Sequence, residues 1–333
     1  MRFKVKYPKL GNQFFFVSNL AEWNPYCRQE YNKIWLRNNP LSKQEKETLL
    51  EVRQLLKKQD LTPVFFLPKA WQKAGQKLNK KDFEKLQKAF QIFAPRFNKL
   101  WSKEKQNLQS VAKHISNTLK VSREILEILQ VLYGVSSPPS ECSIFLVSSP
   151  ILKRAVSGGR AIGKNKIILE CSKITTKNNN QNFVLRVLLH EMVHASLQTK
   201  VLTKIQRYMK NIDVKKKEVL LSSAISKQTK SLARIINEMI LVSLLPEGYL
   251  AEKFFGLDVL KNLKRRKCIK ENKLKRDYYD LMLFSVFCLY PVAKYFCENK
   301  KPIDDDFINS AIKCWQEFEK TNLKKICKLI KEG

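Results

Sequence analysis

The chain has 333 residues, 44% of them hydrophobic, which is enough for one large domain or two modest domains with a packed core. Its net charge of +33 favours a nucleic acid or another anionic surface as a partner. The longest apolar stretch, residues 281–293, is shorter than the ~20 residues of a membrane-spanning helix, so the sequence predicts a buried core helix there and no membrane span.

The positive charge comes mainly from lysine and is distributed along the whole chain. Lysine is more than three times as frequent as arginine, whereas specific recognition of phosphates and bases favours arginine. A coding bias would produce the same pattern. We therefore interpret the charge as a solvated basic surface and keep nucleic-acid binding as an alternative.

Cysteine usage and the N-terminus indicate the compartment. The 8 cysteines form no Cys-x-x-Cys pair and lie in mostly apolar surroundings, which predicts buried free thiols in a reducing environment. The N-terminal apolar run at residues 14–17 is too short for the core of a signal peptide. The sequence thus predicts a soluble, cytoplasmic protein.

Residues 1–138 have mostly helical periodicity and few strand signals. A capping box, Ser42-Lys43-Gln44-Glu45, predicts a helix that continues to about Lys58. Further helices are predicted at 81–93, 103–119 and 122–133, and His114 on the second of them is interpreted as a surface or core-edge histidine. The Gly, Ser and Pro residues of 134–140 are the clearest linker signal, which predicts a boundary between 138 and 139.

The pattern changes after this linker. Residues 142–147 and 165–169 are rich in β-branched and apolar side chains and predict two strands, joined by a glycine-containing stretch at 157–163. From about residue 215 to 331 the periodicity is helical again. The only predicted sheet region therefore lies at about 141–170, within a second region that spans 139–333.

The most specific motif follows the predicted sheet at His190-Glu191-Met192-Val193-His194. Phe183, Val187 and both histidines follow helical spacing, so the two imidazoles lie on one face of a helix predicted at 182–199 and can bind one metal ion together. Glu191 lies about 100° around the helix from His190, where it can reach a metal-bound water as a general base. An accidental match to this motif is the alternative.

The order of strand, glycine-containing stretch, strand and His-Glu-x-x-His helix resembles that of the zincin-like metallopeptidases over roughly residues 141–250. The resemblance implies an α+β, predominantly helical fold with a small antiparallel-edged sheet, an active-site helix and a helical C-terminal subdomain. It also implies that Gly158–Leu169 forms an exposed sheet edge to which an extended peptide substrate adds antiparallel.

A third protein ligand must come from Glu, Asp or Cys, because no histidine follows His194. Glu238 lies within a strongly apolar helix predicted at about 229–245, where an unpaired charge is costly. An ordinary helical pair with Arg234 is the alternative for this carboxylate. Three other carboxylates lie in more polar or loop-like segments and are weaker candidates: Asp213, Glu247 and Asp258.

Asn237-Glu238 resembles the third-ligand signature of the gluzincin subgroup, in which a glutamate on a later helix completes the zinc site. That subgroup often has an acidic residue four positions later, where this chain has Val242. The histidines must therefore be oriented by other groups.

The resulting hypothesis is an intracellular zinc metallopeptidase that binds one Zn²⁺ through His190, His194 and Glu238 and acts on a peptide or protein substrate. Glu191 is expected to activate the water, and Tyr249 is a weak candidate for stabilising the oxyanion. Two alternatives stay open. One is a basic helical nucleic-acid-binding protein with an incidental motif, and the other is a structural or degenerate zinc site in an interaction scaffold.

Overall fold

The computed structural model describes residues 2–24, 27–119, 123–137, 139–150, 158–172, 179–212, 220, 225 and 231–333. These residues are mostly helical and include a small mixed four-stranded sheet. The α+β, predominantly helical class is thereby confirmed.

The described chain packs into two compact units, each assembled from two stretches of sequence. The N-terminal unit comprises residues 1–120 and 140–184, and the C-terminal unit comprises 121–139 and 185–333. The predicted division into 1–138 and 139–333 differs from this packing, because the sheet belongs with the N-terminal helices.

The sheet explains that difference. Its first strand, β1 (Arg2–Lys6), pairs in parallel with β2 (Glu141–Ser148), so the start of the chain and the residues after the linker share one sheet. No strand is predicted at β1, although Phe3 and Val5 alternate with charged residues as an amphipathic strand does. The alternating pattern indicates a strand, but nothing local indicates that it pairs with residues as far along the sequence as Glu141–Phe145.

The strand order is β1-β2-β4-β3. Strand β4 (Lys166–Cys171) pairs in parallel with β2, and β3 (Gly159–Gly163) pairs antiparallel with β4. The two predicted strands and the antiparallel edge are confirmed. The predicted edge at Gly158–Leu169 is correct only for β3, because β4 lies inside the sheet.

The predicted capping box is present at the start of α3 (Lys43–Lys58), where the Ser42 hydroxyl accepts from the Glu45 amide and the Glu45 carboxylate accepts from the Ser42 amide. The two helices predicted at 81–93 and 103–119 form one helix, α6, with Pro95 inside it. The helices of the first 132 residues are α1 (Lys9–Leu20), α2 (Gln29–Trp35), α3, α4 (Thr62–Phe65), α5 (Ala70–Lys77), α6 (Lys80–Thr118) and α7 (Arg123–Leu132).

The helices after the sheet form the C-terminal unit together with α7, apart from the first residues of α8, which belong to the N-terminal unit. Between α8 and α9 the chain makes a π-helical turn, Val193–Leu197. These helices are α8 (Asn179–Met192), α9 (Thr199–Asn211), α10 (Leu232–Leu244), α11 (Tyr249–Phe255), α12 (Val259–Lys264), α13 (Lys267–Lys270), α14 (Tyr278–Glu298), α15 (Asp305–Lys320) and α16 (Leu323–Glu332).

Helix α14 contains the longest apolar stretch of the sequence. Within the part of the chain that the structure describes, it is the one helix long and apolar enough to cross a membrane by length and composition. Half of its most apolar segment is buried, and the helix packs against α10 and α15. All 8 cysteines are free thiols, and five of them are buried.

Candidate metal centre

The two motif histidines lie where α8 gives way to the π-helical turn. His190 is in the last turn of α8, and His194 is in the turn Val193–Leu197, where the Gln198 amide donates to the Val193 carbonyl five residues back. The prediction of one continuous helix over 182–199 misses this wider turn. Such turns are rare and are often found at functional sites.

Helix α10 brings Glu238 to the same place. The helix packs against both α9 and α14, and residues on either side of Glu238, such as Ile236 and Met239, are fully buried. The carboxylate bridges the two histidines, with Oε1 3.2 Å from His190 Nε2 and Oε2 3.0 Å from His194 Nε2. Glu238 therefore contacts the motif histidines, and its predicted helix begins at Leu232 in the structure.

The weaker candidates for a third ligand are engaged elsewhere or lie outside the described residues. Glu247 forms an ion pair with Arg266. Asp258 caps α12 by accepting a hydrogen bond from the Lys261 amide at 2.8 Å. Asp213 lies outside the described residues.

The outer nitrogens of both imidazoles contact hydrogen-bond acceptors. His190 Nδ1 lies 2.9 Å from the Leu245 carbonyl oxygen, and His194 Nδ1 lies 2.9 Å from Gln198 Oε1. Since an oxygen of this kind can only accept, each Nδ1 carries the proton and each neutral ring presents the lone pair of its Nε2. The two lone pairs point to the same place as the Glu238 carboxylate.

Gln198 is itself held in place. Its amide nitrogen donates to the His194 carbonyl at 2.8 Å, and the amide of Asn237 donates to Gln198 Oε1 at 3.1 Å. Gln198 and the Leu245 carbonyl thus orient the histidines. Sequence reasoning did not single out Gln198, although a polar residue four positions after a helical histidine is a usable signal.

The three ligand atoms have a spacing that suits a metal ion. His190 Nε2 and His194 Nε2 are 3.1 Å apart, similar to their distances from the carboxylate oxygens of Glu238. Ligand atoms on a tetrahedral ion with bonds of about 2.0–2.1 Å lie about 3.3 Å from one another. His190, His194 and Glu238 can therefore hold a metal ion.

Without a metal ion, the same group traps a proton. Burial lowers the pKa of His194, but the hydrogen bond and the negative charge of Glu238 outweigh it and raise the pKa to about 9. Burial raises the pKa of Glu238, but attraction and hydrogen bonds from the two histidines hold it well below its usual range. The centre is thus built to keep a positive charge between two nitrogens and a carboxylate.

The other predicted residues fall in different places. Glu191 is partly buried in α8 beside His190 and lies within electrostatic reach of His194. The Tyr249 hydroxyl donates to Glu298 Oε1 at 3.0 Å, so the structure places it against α14. His114 is partly buried on α6, in agreement with a core-edge histidine.

A tyrosine that is not among the residues predicted from the sequence lies within electrostatic reach of Glu238. Tyr133 follows the last residue of α7 and is 1% exposed, and its hydroxyl has no hydrogen-bond partner among the described residues. Burial raises the pKa of this hydroxyl, and the negative charge of Glu238 raises it further. A buried hydroxyl without a hydrogen-bond partner costs about 1–3 kcal/mol. A bound ligand oxygen that accepted a hydrogen bond from Tyr133 would therefore be stabilised.

No protein-family model, no curated protein and no solved structure matches this chain. A function is therefore inferred from the chemistry of His190, His194 and Glu238 and of Glu191, which follows His190 in the sequence.

Proposed function

We propose that the protein is a zinc-dependent metallopeptidase of the zincin-like, gluzincin type. The observation that carries the proposal is the convergence of His190 Nε2, His194 Nε2 and the Glu238 carboxylate within 3.0–3.2 Å of one another. A second carboxylate, Glu191, follows His190 in the sequence and lies within electrostatic reach of His194. Two imidazoles and one carboxylate suit Zn²⁺ and leave a coordination position open for chemistry. The free cysteines support a cytoplasmic location.

In the proposed hydrolysis, each residue around the centre has its own role. Bound there, Zn²⁺ supplies a Lewis acid that polarises a carbonyl and makes water more acidic. Glu191 accepts a proton from the attacking water and delivers it to the leaving amine. Tyr133, in place of the predicted Tyr249, offers a hydroxyl to the carbonyl oxygen as that oxygen gains negative charge.

The test combines metal analysis with peptide cleavage. Purified wild type should contain one zinc ion per chain, His194→Ala should contain none, and Glu191→Gln should keep the zinc. Cleavage of a random peptide pool, followed by mass spectrometry, should fall about 10²- to 10⁴-fold in Glu191→Gln. Glu332→Gln, which alters an exposed carboxylate on α16, is the matched control and should behave as wild type.

Three outcomes would overturn the proposal. Iron in place of zinc would indicate a different chemistry, since the same ligand set also suits non-haem iron. Stoichiometric zinc with no cleavage in wild type would indicate a structural metal. Tight, steeply salt-dependent nucleic-acid binding that survives both substitutions, in a protein without zinc, would indicate that the motif is incidental.

A further inference from the structure

A pocket of about 440 Å³ opens in the C-terminal unit next to Tyr133. It is bordered by the end of α7, by α9 from Thr199 to Arg207 and by residues 302 and 303 before α15. Helix α9 begins two residues after the π-helical turn that carries His194. Because three cationic side chains line it, we name it the cationic pocket.

The cations of this pocket occupy one face of α9. Lys200, Lys204 and Arg207 are spaced at i, i+4 and i+7, and all three are exposed. The Lys200 ammonium donates to the Gly134 carbonyl at 2.7 Å, and the Lys204 ammonium donates to the Ile303 carbonyl at 3.2 Å. These hydrogen bonds tie both ammonium groups to the adjoining segments at Gly134 and Ile303 and leave further donors on each ammonium group.

Among the described residues, none of the side chains that line the pocket is a carboxylate. The structure records no ion pair of Lys200, Lys204 or Arg207 with any residue it describes. Most of the remaining wall is apolar and comes from side chains such as Leu132, Val201 and Ile303. A pocket with apolar walls and unpaired cations suits a carboxylate on an apolar stem.

Tyr133 connects this pocket with the metal centre. Tyr133 is among the residues that line the pocket, and its hydroxyl lies within electrostatic reach of Glu238. Thr199, which also lines the pocket, directly follows Gln198, whose side chain contacts His194 at 2.9 Å. A peptide bound at His190, His194 and Glu238 would therefore reach the pocket within a few residues.

We infer that the cationic pocket binds a carboxylate of the substrate, so that the protein selects peptides with a carboxylate close to the scissile bond. The carboxylate comes either from an acidic side chain or from a free C-terminus. This inference rests on the proposed peptidase function and adds the substrate class to it.

The experiment uses four matched pools of random octapeptides with full-length protein. The pools have Glu or Gln at one fixed position and end in a free acid or an amide, so they separate the two sources of the carboxylate. Cleavage is followed by mass spectrometry. Binding of the same labelled pools to zinc-loaded and metal-free Glu191→Gln is measured by fluorescence anisotropy, which reports on the pocket without turnover.

We expect one carboxylate source to raise kcat/KM about tenfold over its neutral counterpart, mainly through KM, and to tighten binding similarly. Arg207→Gln and Lys204→Gln should each lower that ratio toward one. The control Lys324→Gln/Lys325→Gln removes two positive charges from α16, which does not line the pocket, and should keep the ratio. Thermal unfolding of each variant shows that it is folded.

The outcomes separate this inference from the function on which it rests. Cleavage of all four pools with equal efficiency would overturn the inference and leave the peptidase intact. An equal loss of preference in the α16 control would also overturn it, because general attraction to the +33 chain would then be the cause. No cleavage of any pool by zinc-loaded wild type would overturn the proposed function itself.

Discussion

Two partly buried carboxylates, Glu170 in the N-terminal unit and Glu238 in the C-terminal unit, have similar exposure but opposite kinds of partner. Their side chains are 14% and 18% exposed. Glu170 accepts a hydrogen bond from the Tyr31 hydroxyl at 2.6 Å and pairs with Arg28 at 3.4 Å, so its partners are donors that never lose their role near neutral pH. Glu238 instead faces two histidine nitrogens, and each can be protonated or unprotonated near neutral pH.

The comparison shows that the partners of a buried carboxylate, and not its burial, indicate a metal site. Around Glu170 the positive charge and the proton are supplied by the protein itself, and the group is complete. Around Glu238 two lone pairs and a carboxylate converge, and only an added proton or cation makes the contacts favourable. A metal ion therefore fits the second group and has no place in the first.

The largest expected difference between the two carboxylates is in zinc affinity. Glu238→Gln should weaken zinc binding by more than about 100-fold, because it removes the negative charge from the ligand set. Glu170→Gln should leave zinc binding unchanged. Competition with a chromophoric chelator measures both, and equal affinities in Glu238→Gln and wild type would show that Glu238 is not a ligand.

A smaller effect should follow from Gln198, which orients His194. Gln198→Ala removes the acceptor of the His194 Nδ1 proton and frees the ring to rotate, so zinc affinity should fall about 10- to 100-fold. Gln198→Glu keeps an acceptor at that position and should restore most of the affinity. An affinity of Gln198→Ala equal to that of wild type, by the same chelator competition, would contradict this role.

The sequence predicts the three converging side chains better than the groups around them. His190 and His194 are linked by helical spacing, and Glu238 is marked by the cost of a charge in an apolar helix, so each carries a local signal. Leu245 acts through its backbone carbonyl and Tyr133 precedes the motif by 57 residues. Their roles depend on how α7, α8 and α10 pack, which no local pattern encodes.

The same limit applies to the fold. The predicted strands β2 and β4 have dense apolar sequences of their own. Strand β1 is short and pairs with β2, which lies far along the sequence at Glu141–Ser148. Proline cannot donate a backbone hydrogen bond, yet α6 continues through Pro95 and packs against α1 and α3. Tertiary contacts outweighed the local preference there.

The smallest expected effect is the pH dependence of the metal-free protein. The pKa of His194 rises from 6.5 in the unfolded chain to about 9 in the folded protein. Below pH 6.5 both states hold the proton and the contact with Glu238 contributes fully. Between pH 6.5 and 9 the unfolded chain loses the proton first, so this contribution to the free energy of unfolding declines.

Urea unfolding of the metal-free wild type at pH 6 and pH 9 should show a decline on the order of 1 kcal/mol from this contact, given that His194 is partly exposed. Glu238→Gln should lack that part of the decline, and Glu170→Gln should keep it, because Tyr31 and Arg28 do not exchange protons with His194. Zinc should reverse the trend in wild type, since protons compete with the metal and its affinity rises with pH. The same slope in Glu238→Gln and wild type would mean that the carboxylate does not hold the His194 proton.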